Sequence, residues 1–192
     1  MRSRHMLVAT AFLALAFCAS TVRAADTYKI DPVHSFVIFH ISHFNIGHVY
    51  GRFNAPEGTI QYDPNDPSKC SFDLTIKAAN VDTGTPKRDD DLRSEHFFDV
   101  KKYPTITFKS TSVKSAGQNK DEVTGDLTLH GVTKTITVPI TKLGEGDTKV
   151  MGYRTGWESH VTIKRSDYNM NYDAGLVGDD VHLTFALEAR KS

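Results

Sequence analysis

Several stretches of this chain alternate apolar and polar residues with a period of two. Phe72, Leu74 and Ile76 alternate with Ser71, Asp73, Thr75 and Lys77, and Ile106 and Phe108 alternate with Thr105, Thr107 and Lys109. Val123, Leu127 and Leu129 alternate in the same way with Thr124, Asp126, Thr128 and His130, and the run 181–189 sets Val181, Leu183, Phe185 and Leu187 on one side. Successive side chains of a β-strand point to opposite faces, so each run predicts a strand with one apolar and one wet face. A lone sheet leaves the apolar faces uncovered; it must close on itself or cover a second sheet. The run from Ser35 to His43 is less regular. Val37, Phe39 and Ile41 point one way, but Phe36 and Ile38 make the other face apolar as well. That second face fits a homodimer contact, a covering helix or a lipid surface, and equally well a scatter of exposed hydrophobes.

Turn signals separate the runs: Asp31-Pro32, Ala55-Pro56, Asp63-Pro64-Asn65-Asp66-Pro67, Gly144-Glu145-Gly146-Asp147 and Val177-Gly178-Asp179-Asp180. The composition beyond residue 24 favours β-branched and aromatic residues over Ala, Leu and Met, which suits a pleated, half-buried surface. With no internal repeat and no low-complexity linker, one all-β domain is the expectation. Residues 83–99 break the pattern, being charged first and then aromatic. Pro86 near the start and acids in the first turn predict a short helical segment near residues 86–98. It would set Leu92, Phe97 and Phe98 against the sheet as a lid or plug. Its charges read as a solvated or locally paired face, not a catalytic cluster.

The whole-chain figures, 39% hydrophobic residues and zero formal charge, pool two segments. Residues 1–24 carry Arg2, Arg4 and Arg23, no acid, and an apolar run from Leu7 to Ala19, the layout of a cleaved signal peptide ending at Ala24. The domain 25–192 that follows has 20 basic and 23 acidic side chains, a net charge of −3. No basic excess remains for nucleic acid, and no other run approaches the roughly 20 apolar residues of a membrane-spanning helix. Cys18 leaves with the leader, so the remaining Cys70 has no intramolecular disulfide partner and reads as a small, half-buried apolar residue.

Motifs for chemistry are scarce. His34, His40, His43 and His48 invite a metal, but residues three apart on a strand face opposite ways, and neither HxH nor HExxH occurs, so no metal or cofactor is expected. No Gly-x-Ser-x-Gly elbow is present, and no glycine-rich phosphate loop precedes a helix. A binding protein built on a β-barrel is what these residues support; they do not name its ligand.

Five ordered blocks carry a resemblance. The first is Tyr28-Lys29-Ile30-Asp31-Pro32-Val33-His34-Ser35, with His43 and Gly51-Arg52-Phe53. The most specific spans Val81-Asp82-Thr83-Gly84, Lys87-Arg88-Asp89, Leu92-Arg93-Ser94, Phe97-Phe98-Asp99-Val100 and Tyr103-Pro104-Thr105-Ile106-Thr107-Phe108. The run from Gly125 to Lys134, then Arg165-Ser166-Asp167-Tyr168, then Val177-Gly178-Asp179-Asp180-Val181 complete the order. Over about residues 28–189 the chain resembles the YceI-like family of exported lipocalin-like proteins.

The resemblance implies an extended eight-stranded antiparallel barrel in the periplasm, holding a polyisoprenoid chain or polyprenyl quinone, with no catalytic residue to carry over; a separate reading has the apolar patch at Phe36 and Ile38 dock inner-membrane quinone or cytochrome proteins. Alternation then nominates the tunnel lining: Val37, Phe39 and Ile41; Phe72, Leu74 and Ile76; Ile106 and Phe108; Leu127 and Leu129; Trp157, Val161 and Ile163; and Leu183. His43, two residues beyond Ile41, would meet a head group at the mouth. The rivals are a fatty acid or fatty amide carrier and an enzyme using His43, Asp167 or Arg165.

Overall fold

The computed structural model describes residues 24–192, so the expected leader lies outside the described residues apart from Ala24. Eleven strands, β1 (Asp26–Ile30), β2 (Phe36–His43), β3 (Gly47–Asn54), β4 (Glu57–Tyr62), β5 (Ser71–Lys77), β6 (Val81–Asp82), β7 (Thr105–Gly117), β8 (Lys120–Leu129), β9 (Val132–Asp147), β10 (Tyr153–Lys164) and β11 (Val177–Lys191), surround one short helix, α1 (Pro86–Arg93). Strands β1, β4, β5, β7, β8, β9, β10 and β11 pair in that order, and β11 returns to β1. The result is the closed antiparallel eight-stranded barrel that the alternation and the resemblance predicted. Closure gives every strand of the ring a neighbour on both sides, which limits free edge and keeps the apolar face inside.

The remaining strands lengthen the barrel. β2 continues β1 along β11, with Ile30 opposite Ala189 and, after a break, Phe36 opposite Ala186. β3 continues β4 in the same way, broken at Ala55, whose φ of 53° turns the chain before Pro56. Burial alternates along β5, where Phe72, Leu74 and Ile76 are buried and their neighbours are not, and along β8. On β2 the outward apolar positions differ: Ile38 is exposed, whereas the Arg52 guanidinium lies 5.6 Å from the centre of the Phe36 ring. Among the described residues no helix is long and apolar enough to cross a membrane.

Two local devices hold the shape. The first spans the β1–β2 break. Asp31 accepts hydrogen bonds from the Val33 amide (2.9 Å) and Arg154 on β10, and lies 3.0 Å from His34 Nδ1. Arg154 reaches Glu188 on β11 at 3.4 Å as well, so one guanidinium ties the break to two barrel strands. The second device is close packing of β7 on β8. A Cβ at Gly125 would stand 2.6 Å from the Lys109 carbonyl oxygen and 2.6 Å from the Phe108 ring, so only glycine fits there without backbone movement.

Two outcomes follow. Gly125→Ala should cost about 1–3 kcal/mol by overpacking, seen as a lower urea midpoint; an unchanged midpoint would contradict the packing described. Burial alone would raise the Asp31 carboxyl, but bonds from His34, the Val33 amide and Arg154 outweigh it and hold the carboxyl well below the usual carboxylate range. A depressed folded-state value contributes stability above the unfolded value of about 3.9, and that stability is lost as pH falls below it. Asp31→Asn should therefore be less stable than wild type at neutral pH, and the gap should narrow as pH falls below about 4. A gap independent of pH would contradict the assignment.

Candidate functional site

The inward faces of the barrel do not fill it. One cavity runs from beneath α1 toward the middle, walled by Val37, Phe39, Ile41, Ile76, Ile106, Leu129 and Ile163 among others. A second lies beyond it and is walled by Phe72, Val161, Trp157, Ile136, Val138 and Ile140. Leu74, Phe108, Leu127, Leu183 and Phe185 line both, so the two are adjoining chambers of one tunnel. Its walls are made almost wholly of hydrocarbon side chains, the surface that an apolar chain fills without leaving a polar group unpaired.

The charged stretch before the aromatics closes one end. Asp89 is buried and accepts hydrogen bonds from the Thr83 amide and hydroxyl. Arg93 donates to the carbonyls of Ala79 (2.9 Å) and Val81 (2.8 Å), pinning α1 to the start of β6. These contacts aim Leu92, Phe97 and Phe98 into the first chamber, and the Phe98 ring packs edge-on against Phe53 at 5.3 Å. The expected lid is present, and its charges are engaged in holding it.

Trp157 ends the other chamber. Its indole meets the rings of Tyr28 (5.5 Å), Tyr62 (6.1 Å) and Phe72 (6.4 Å) edge to face. Burial pushes the Tyr62 phenol up to about 12, with the Asp121 carboxylate adding to the effect, and burial also raises Tyr28 next to Glu145. Both phenols are neutral at ordinary pH. Lys142 pairs with Glu145 at 2.7 Å and lies 4.8 Å from the centre of the Tyr62 ring, so the nearby charge is matched behind the aromatic wall.

The wall has one open seam. β10 pairs with β9 only from Tyr153 to Glu158, with a register shift between Gly156 and Trp157. The rest of β10, from Ser159, pairs with β11 alone, and β9 before Thr141 pairs with β8. Lys134 and Asp167 (2.9 Å), and His130 and the Tyr168 carbonyl (3.1 Å), bridge the far end of the seam.

Fourteen of the fifteen residues nominated from alternation line this tunnel. His43 does not; it is exposed and meets the Phe44 ring edge-on at 4.3 Å. The reading missed Val181 and Phe185, although they share the alternation that nominated Leu183. It also missed Ser159, which stands between the nominated Trp157 and Val161, because a polar residue at an inward position breaks the hydrophobic signal.

The titratable groups of the enzymatic rival do not converge. Arg165 is buried and donates to four carbonyls, of Met170, Tyr172, Val177 and Gly178, at 2.7–3.0 Å. Burial lowers its guanidinium from the usual value, and those four bonds engage it in shaping the loop before β11. Asp167 pairs with Lys134, and His43 faces away from the cavity. Asp31, His34 and Glu188 bring ligand atoms within 4.8 Å of one another, but the Arg154 guanidinium already supplies their positive charge. Outside the barrel, His40 stacks on His182 at 4.5 Å and on Tyr50 at 5.1 Å. Cys70 is half-buried and free, with its thiol raised by burial, matching the inert reading.

The comparisons with known proteins agree with this architecture. A UPF0312 protein of Pseudomonas aeruginosa is 41% identical over 187 residues, covering 96% of this chain and 97% of its own. Protein YceI of Escherichia coli O157:H7 matches to the same extent, 41% identity over 96% and 97%. Among solved structures, Burkholderia cenocepacia BcnA superposes with a TM-score of 0.76 at 30% identity, covering 83% of this chain and 98% of that one. A Saccharophagus degradans domain described as polyisoprenoid-binding shares the fold, with a TM-score of 0.66 at 20% identity, covering 86% and 98%. The model of the YceI-like domain matches residues 28–189, nearly all that the structure describes, and the chain belongs to the YceI-like family.

Proposed function

We propose that this protein holds one long apolar lipid of the polyisoprenoid class along its barrel axis, as a carrier or store and not as a catalyst. The observation that carries the reading is the continuous hydrocarbon wall shared by the two chambers at Leu74, Phe108, Leu127, Leu183 and Phe185. Each methylene-sized group buried there contributes about 0.8 kcal/mol before ordering costs, so several isoprene units bind without a strong polar anchor. The engagement of Arg165, Asp167 and His43 elsewhere favours carriage over chemistry, because a general acid and base must both reach the reacting atom. The leader-like residues 1–24 favour cleavage after Ala24 and a periplasmic site of action for the domain 25–192.

Native mass spectrometry tests this reading with a tetraprenyl benzoquinone as probe. Wild-type protein should take up one molecule. Leu183→Trp, which places bulk where the chambers meet, should reduce uptake at least tenfold, whereas Ile38→Ser on the outer face should leave it unchanged. Equal uptake by wild type and Leu183→Trp would overturn the tunnel as the binding site, and fatty acid or fatty amide recovered by organic extraction in place of a prenyl lipid would overturn the ligand class.

A further inference from the structure

Three buried side-chain polar atoms lack a hydrogen-bond partner among the described residues: Thr155 Oγ1, Trp157 Nε1 and Ser159 Oγ. They are consecutive inward positions of one strand, β10, with exposures of 2%, 2% and 6%. An unpaired buried polar group costs about 1–3 kcal/mol, and native proteins rarely leave one without a reason. Three in a row on one strand face are therefore a feature to be explained. Two of them, on Trp157 and Ser159, line the second chamber, at the end away from α1.

We infer that these two groups form a head-group site inside the barrel, taking an uncharged head that carries hydrogen-bond-accepting oxygens, with the prenyl chain running from there toward α1. The inference rests on the proposed lipid-carrying function and deepens it. An indole N–H only donates, so its partner must be an acceptor; a serine hydroxyl donates or accepts. The two residues are successive inward positions of one strand, so one head group in the chamber can face both. Charge decides between head groups. No Lys, Arg or His lines this chamber, and Asp73 and Glu158 lie at its edge. A phosphate or carboxylate would find no counter-charge there and two like charges, whereas a ring ketone or quinone needs none. The seam between β9 and β10 opens beside Ser159, which places the site next to a gap in the wall.

Trp157 is the only tryptophan in the sequence, so it reports on itself. In a ¹H–¹⁵N NMR spectrum of the protein, the single indole cross-peak should move downfield on adding tetraprenyl benzoquinone, and less or not at all with the same prenyl chain ended by a methyl group. Ser159→Ala and, separately, Trp157→Phe should each raise the Kd for the quinone about three- to tenfold, and by more than they raise the Kd for the hydrocarbon. Tetraprenyl phosphate should bind at least tenfold more weakly than the quinone. Uptake of both uncharged probes with equal shifts and equal responses to the substitutions would overturn the head-group site while leaving the lipid-carrying function standing. Tighter binding of the phosphate would overturn the charge argument and the site with it. No uptake of any probe would overturn the proposed function itself.

Discussion

Closure of the sheet is the constraint on which the rest of this structure depends. Once β11 returns to β1, every strand in that ring has a neighbour on both sides, and the period-two alternation sends one face of each into a common interior. Eight strands give an interior that side chains can fill or that can hold one slender ligand, and here the side chains leave room. Long strands then turn that interior into a tunnel. β9 and β11, of 16 and 15 residues, set its length, and the jointed pairs β1–β2 and β3–β4 follow them from end to end.

The buried and partly buried charged residues serve that shape. Arg154 bridges the joint between β1 and β2, Arg93 and Asp89 fix the helix at one end, and Arg165 organises the loop before β11. Each is bonded to backbone carbonyls or to a facing carboxylate or amide, so little of their charge is left for a substrate. The most specific sequence blocks of the family are thus the fittings of the tunnel, whose wall is mostly hydrocarbon.

This division explains what could be read from the sequence. The strands around Phe72, Ile106, Leu127 and Leu183 declared themselves because a half-buried strand must alternate, and the same alternation nominated most of the tunnel wall. The lid was visible because Pro86 and the following acids mark a helix start, and α1 begins at Pro86. Other features depended on distant pairing. The partner of Arg154 lies 123 residues away at Asp31, so no local pattern announces it. His43 was assigned inward by continuing the count from Ile41, but β2 ends there and its pairing with β11 shifts register between Val177 and Val181, so the parity of the strand no longer holds. Ser159 was invisible for the opposite reason: it keeps the parity and breaks the hydrophobicity.

The central claim is that the lipid lies inside the barrel along its hydrocarbon wall. Photolabelling with a prenyl chain that carries a diazirine, followed by peptide mapping, tests it most directly. The account predicts adducts on inward residues such as Leu127, Leu183 and Trp157. Adducts confined to outward positions such as Ile38 and Tyr50 would contradict it.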